Sequence, residues 1–123
     1  MSDESKPAST PANRRGSQRL PVRGGVNIEC RKGSLGLGQN LAVSAVNLSE
    51  IGVKLVLKTE LPKGQEVELS FQGAGPPVKR IAKLVWLRPL PDGMHEAAFR
   101  FDANISYADY QRFTQPRRII GSV

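Results

Sequence analysis

Positive charge is concentrated in one short stretch of this chain. Residues 14–32 carry six cationic groups against one acid, Glu29, and therefore hold five of the seven net positive charges. The cationic residues are Arg14, Arg15, Arg19, Arg23, Arg31 and Lys32. An arginine presents a planar fork of N–H donors that can grip a phosphate with two hydrogen bonds and can stack on a nucleobase. The stretch is a candidate phosphate site, and the alternative is a solvated basic arm.

A second group of polar residues has the pattern N-x-S-x-x-G, from Asn47 through Ser49 to Gly52. Asn and Ser form turns through bonds from the side chain to the backbone, and Gly permits backbone angles that other residues avoid. The pattern therefore predicts a turn. It also offers a compact set of polar groups able to read the edge of a base.

The sequence contains none of the common catalytic motifs H-E-x-x-H, G-x-S-x-G and the Walker loop. His95 is the only histidine, and no obvious partner carboxylate or nucleophile motif accompanies it. Cys30 is the only cysteine, which excludes an internal disulfide and a cysteine-based metal site. The glycine-rich stretch 33–38 precedes no helix, so we interpret it as a hairpin loop and not as a phosphate loop. We predict a protein that is not an enzyme and that has no metal or cofactor.

Alternation with a period of two predicts six short strands separated by turn-rich segments. The predicted strands contain Val26–Cys30, Leu41–Val46, Val53–Lys58, Glu66–Phe71, Lys79–Leu87 and Glu96–Phe101. In the second of these, Leu41, Val43 and Ala45 are predicted to share the apolar face. Closing the sheet would remove exposed strand edges, so the expected fold is mostly β: a six-stranded antiparallel β-barrel.

One C-terminal helix is predicted after the strands, over residues 106–114. Ser106 can cap it, with Asp109 at the third helical position. Tyr107, Tyr110 and Phe113 form a stripe expected to pack on the barrel, and a proline ends the run. Residues 1–13 and 116–123 are predicted to be tails, the first of them disordered, around one domain at 14–115. No membrane span or signal peptide is visible, so we expect a cytoplasmic protein.

Taken together, the two motifs resemble those of the PilZ family, whose members carry R-x-x-x-R before the first strand and [D/N]-x-S-x-x-G after the second. Here these are Arg15-Gly-Ser-Gln-Arg19, with Arg14 directly before, and Asn47-Leu-Ser49-Glu-Ile-Gly52. The resemblance implies a receptor for the bacterial second messenger cyclic di-GMP. The family's barrel with a following helix agrees with the strands and helix predicted above.

The resemblance also implies a ligand site, made of Arg14, Arg15, Arg19, Asn47, Ser49, Gly52 and Trp86. In that site Arg15 and Arg19 would hold guanine and phosphate groups, while Asn47 and Ser49 would hydrogen-bond to the ligand. Trp86 is either presented to the ligand or part of the core. The chain departs from the family by having Asn instead of the commoner Asp at 47, and Ala98 where the last strand usually has Gly.

The implied partners are cyclic di-GMP, at two molecules per chain because of Arg14, and a downstream protein. In this reading the N-terminal arginine arm closes over the ligand on the barrel surface. Two alternatives remain open at this point. One is a small nucleic-acid-binding barrel of the OB or cold-shock type, which the lack of a stacking platform disfavours. The other is a PilZ-like adaptor that has lost ligand binding and acts through protein contacts.

Overall fold

A computed structural model describes residues 18–115, and within that range the chain forms seven strands and one helix. The strands are β1 (Leu20–Pro21), β2 (Asn27–Lys32), β3 (Ala42–Leu48), β4 (Gly52–Leu57), β5 (Glu66–Gln72), β6 (Val78–Pro89) and β7 (His95–Phe101), and helix α1 is Tyr107–Phe113. All six predicted strands and the helix are present. The two-residue strand β1 is an addition that the sequence pattern did not predict.

The strands form one antiparallel sheet in the order β1-β3-β4-β7-β6-β5-β2. The sheet curls until β2 and β3 approach each other, but these two strands do not pair as a ladder. The described chain is thus a half-barrel of seven strands, and the prediction of a closed six-stranded barrel is wrong.

Asn40 explains why the sheet stays open between β2 and β3. Its side-chain oxygen accepts hydrogen bonds from the backbone N–H groups of Cys30, at 2.9 Å, and Ala42, at 3.0 Å. These are donors that a ladder between the two strands would use. One main-chain bond crosses nearby, from Leu41 N to Cys30 O at 2.7 Å. Residues of β2 and β3 also line a pocket of about 230 Å³, whose lining includes Val22, Ile28 and Ala42–Ala45.

The concave side of the sheet holds the core. One transverse row contains Leu48, Val53, Phe99 and Leu84, which are opposite one another in register and all buried. Phe71 stacks on Phe113 of α1, with 5.3 Å between ring centroids, so the helix closes part of the open end. Side chains one position away in β3, β4 and β7 point to the opposite, outer side. In β6 a register shift between Leu84 and Trp86 pairs Trp86 with Ala98 and places it on the outer side as well.

Strand β3 differs from the simple alternation that the sequence predicts. Register shifts in β3, between Ala42 and Ser44 and between Ala45 and Asn47, break the predicted shared face, and Val43 is 51% exposed.

In α1, the Ser106 side chain caps the helix by accepting from Asp109 N at 3.0 Å, as predicted. The rest of the predicted stripe is buried, but Tyr107 is exposed and contacts the Tyr110 ring.

The predicted tails at residues 1–13 and 116–123 lie outside the described residues. In the part of the chain that is described, no helix is both long and apolar enough to cross a bilayer.

Candidate functional site

The short strand β1 brings the two sequence motifs together. Leu20 and Pro21 pair with Leu48 and Asn47 of β3. This pairing places Arg19 beside Asn47, and the Arg19 guanidinium Nη1 donates to Asn47 Oδ1 at 3.3 Å. The R-x-x-x-R and N-x-S-x-x-G motifs are therefore in contact through their side chains. Arg14 and Arg15, the other predicted arginines, lie outside the described residues.

The other side of this segment is held by the C-terminal helix. The Tyr110 hydroxyl donates to Gln18 O at 2.8 Å. Beyond β1, Arg23 N donates to Phe113 O at 2.8 Å, and Gln115 N donates to Pro21 O at 2.9 Å. The backbone next to Arg19 is thus fixed from two sides, by β3 and by the residues at the end of α1.

Ser49 lies inside the turn that the motif predicts. Its hydroxyl accepts from the N–H groups of Ile51 and Gly52, both at 3.3 Å, and donates to Gly52 O at 3.4 Å. The residue has no exposed surface. In this structure Ser49 shapes the loop that follows Asn47, and its predicted contact with a ligand stays a prediction.

Gly52 is required by close packing between strands. It lies opposite Arg100 in β7, and a Cβ at this position would overlap the carbonyl oxygen of Phe99. A side chain here would push β4 away from β7 and shift the turn that carries Asn47. The predicted role of Gly52, keeping the turn tight, thus has a steric counterpart in the sheet.

Four residues form a transverse row on the outer side of the sheet, which we call the outer row. Strand register aligns them in the order Asn47, Lys54, Ala98 and Trp86. Lys54 reaches across Ala98, and its Nζ lies 5.6 Å from the centroid of the Trp86 ring. Trp86 is 39% exposed, so it is a surface residue and not a core tryptophan. From Asn47 to Trp86 the row crosses three strand spacings, or about 14 Å.

The outer row, together with Arg19 beside Asn47, has the chemistry of a site for a planar anion. Arg19 and Lys54 supply positive charge, Asn47 supplies amide donors and acceptors, and Trp86 supplies an aromatic face for a base. Ala98 lies between Lys54 and Trp86 in register and is 5% exposed. Lys54 belongs to neither sequence motif, so the sequence did not predict it as part of the site.

No described group completes a catalytic or metal site. Residues 18–115 contain no cluster of three or more His, Cys, Asp or Glu residues able to hold a metal ion. Glu60 Oε1 lies 3.9 Å from His95 Nε2, a neighbour that the sequence alone does not reveal. That distance is too long for a hydrogen bond, and Glu60 is 78% exposed. The contact is a weak one at the surface.

Comparison with known families shows to which family the chain belongs. The family model for the PilZ domain matches residues 13–115, a span that includes both motifs and every described strand. This chain belongs to the PilZ family. Searches of curated proteins and of solved structures gave no match. PilZ domains generally bind cyclic di-GMP or act as adaptors, and they are generally not enzymes.

Proposed function

We propose that this PilZ domain is a receptor for cyclic di-GMP, which binds on the outer side of the half-barrel. The observation that carries the proposal is the bond from Arg19 to Asn47, because it joins the two ligand motifs of the family at one end of the outer row. An exposed aromatic stands at the other end, in Trp86. Guanidinium, amide and indole groups suit the phosphates, base edges and base faces of this ligand, respectively.

The N-terminal residues complete the proposed site. Arg14 and Arg15 precede Arg19 by at most five residues, and we propose that the arm carrying them closes over the bound ligand. The closed arm would then present a new surface to a downstream protein. Because cyclic di-GMP is a bacterial second messenger, the proposal puts this protein in the cytoplasm of a bacterium.

The proposed stoichiometry is two ligands per chain. A stacked pair of cyclic di-GMP molecules brings four phosphate charges close together, and a third arginine from the arm can offset that repulsion. Loss of the second ligand in Arg14→Leu, with the first retained, is the expected sign of this arrangement.

Calorimetric titration with cyclic di-GMP tests the proposal directly. Linear pGpG and GTP are the controls, because they carry the same base and more negative charge than cyclic di-GMP but lack its cyclic geometry. Selective saturation by cyclic di-GMP supports a receptor. Equal binding of all three nucleotides would indicate charge attraction alone, and no binding would indicate an adaptor that works through protein contacts.

The nucleic-acid alternative has less support. Single-stranded nucleic acid is bound on several aromatic side chains along a sheet. Among residues 18–115 the exposed large aromatics are Trp86 and Tyr107, of which the second lies on the helix. One exposed ring on the sheet does not make a stacking platform.

A further inference from the structure

Two like charges face each other on the outer side of the sheet, outside both family motifs. Lys83 of β6 is directly opposite Arg100 of β7, and both side chains are exposed. Cβ atoms of residues opposite one another in an antiparallel pair are about 5 Å apart, and like charges in such a pair destabilise the sheet. The pair therefore costs stability in the free protein.

The sheet does not neutralise this pair, although it neutralises another arginine nearby. Arg88 donates through Nε and Nη2 to Glu96 Oε1, at 2.8 Å and 2.5 Å. Glu66 lies opposite Lys83 on the β5 side, yet no ion pair joins them. Within residues 18–115, neither Lys83 nor Arg100 makes a salt bridge.

The pair adjoins the outer row. Arg100 lies two residues after Ala98 on β7, on the same side of the sheet and about 7 Å along the strand. On the other side of Arg100 is Gly52 of β4, which has no side chain to cover it. Arg100 therefore has no side chain opposite it on the β4 side, and Lys54 and Trp86 of the outer row are its diagonal neighbours in register.

We propose that Lys83 and Arg100 form a second anion subsite, which binds phosphate of a ligand held at its other end by Arg19. This inference rests on the proposed function, and it assigns to ligand binding two residues that neither motif contains. The bound phosphate relieves the repulsion between Lys83 and Arg100. Relief of this repulsion, which destabilises the free protein, contributes to the binding free energy. Together with Arg19 and Lys54, the pair supplies four cations for the four phosphates of two stacked ligands.

The test compares Lys83→Ala and Arg100→Ala with Lys79→Ala. Lys79 is an exposed lysine four residues from Lys83, on the same strand and the same side of the sheet. It lies opposite the uncharged Ser70 on β5. Replacing Lys79 by Ala removes the same single positive charge as the other two variants do. Titration with cyclic di-GMP should show about tenfold weaker binding for Lys83→Ala and for Arg100→Ala. A tenfold loss is the lower end of the range expected when one hydrogen bond to a charged group is removed. Lys79→Ala should bind as the wild type does. Arg100→Lys, which keeps the charge, should recover part of the loss.

Thermal unfolding separates ligand binding from a structural role. Removing one member of a repulsive pair should leave Tm unchanged or raise it, whereas a structural role predicts a lower Tm. If the wild type binds in an Arg19-dependent way and both variants bind equally well, this inference alone is overturned. If the wild type binds no cyclic di-GMP, the proposed function fails and this inference fails with it.

Discussion

Arg19 and Asn47 are 28 positions apart in sequence, and their side chains meet at 3.3 Å on the surface of the sheet. The acceptor is a neutral amide, so the bond holds the guanidinium without a charge pair. An anionic ligand offers Arg19 a stronger partner than Asn47 does. The contact therefore orients the arginine in the free protein and can be exchanged for ligand at small cost.

Arg19→Ala should weaken the binding of cyclic di-GMP by about one to two decades, because a hydrogen bond to a charged group contributes roughly 1.5–3 kcal/mol. Arg15→Ala should act in the same direction. Both variants should stay folded, since Arg19 is exposed and Arg15 lies before the first strand. Calorimetric titration measures the affinity, and Lys63→Ala, in the loop between β4 and β5, is the control for a lost charge. Unchanged affinity of Arg19→Ala would rule out the proposed site.

Ser49→Ala should mainly lower stability. The variant leaves the N–H groups of Ile51 and Gly52 without the hydroxyl acceptor they now have, at a cost of about 1–3 kcal/mol. Asn47→Ala should do the reverse, with weaker binding by up to about tenfold and little change in the free energy of unfolding. Urea unfolding and titration on both variants give the two quantities. A loss of affinity in Ser49→Ala at unchanged stability would indicate a direct contact between Ser49 and the ligand.

Tyr110→Phe should weaken ligand binding although the residue is on the opposite side of β1 from the outer row. The change removes the hydroxyl that donates to Gln18 O, next to Arg19, and so loosens the backbone that orients the arginine. We expect a loss of about three- to tenfold, since one neutral hydrogen bond contributes about 0.5–1.5 kcal/mol. Tyr107→Phe is the matched control, because it removes a hydroxyl from a 59% exposed ring on the same helix. Equal affinities for the two variants would contradict this prediction.

Alkaline pH should destabilise the protein through Cys30. Burial raises the pKa of the Cys30 thiol from its ordinary 9.0 to about 12. Below pH 9.0 the thiol is protonated in both states and has no effect on pH dependence. Between pH 9.0 and about 12 the unfolded chain loses this proton while the folded chain keeps it, so the free energy of unfolding falls by up to about 1.4 kcal/mol per pH unit.

The contribution of Cys30 is isolated by comparison with Cys30→Ala, because lysines and tyrosines also titrate in this range. The difference in unfolding free energy between wild type and variant should be constant below pH 9 and shrink above it. Parallel curves up to pH 11 would show that the thiol does not carry the predicted effect.

The strands and the helix could be predicted because each leaves a local pattern. Val53, Leu55 and Leu57 alternate cleanly, and all three are buried. By contrast, β1 has two residues and contains a proline, so it has no period to detect, and it exists because of Leu48 and Asn47 far along the chain. The missing ladder between β2 and β3 depends on one side chain, Asn40, whose oxygen accepts hydrogen bonds from the backbone of both strands.

The candidate site was predicted in part for the same reason. Asn47, Ser49 and Gly52 belong to a motif that is visible in the sequence. Arg100 and Lys83 are 17 positions apart and face each other only through the register of β6 and β7, which a bulge between Leu84 and Trp86 shifts. Such a pair becomes visible only when the register is known.

The segment from Gln18 to Arg23 is bonded to the sheet on one side and to the end of α1 on the other. Events on the two sides are therefore subject to thermodynamic reciprocity. Suppose that a partner protein binds the helix more tightly, or less tightly, when ligand is present. Binding of that partner must then change the affinity of the domain for ligand by the same factor. The messenger concentration at which this domain responds would then be a joint property of the domain and its partner, and different partners could set different thresholds on one receptor.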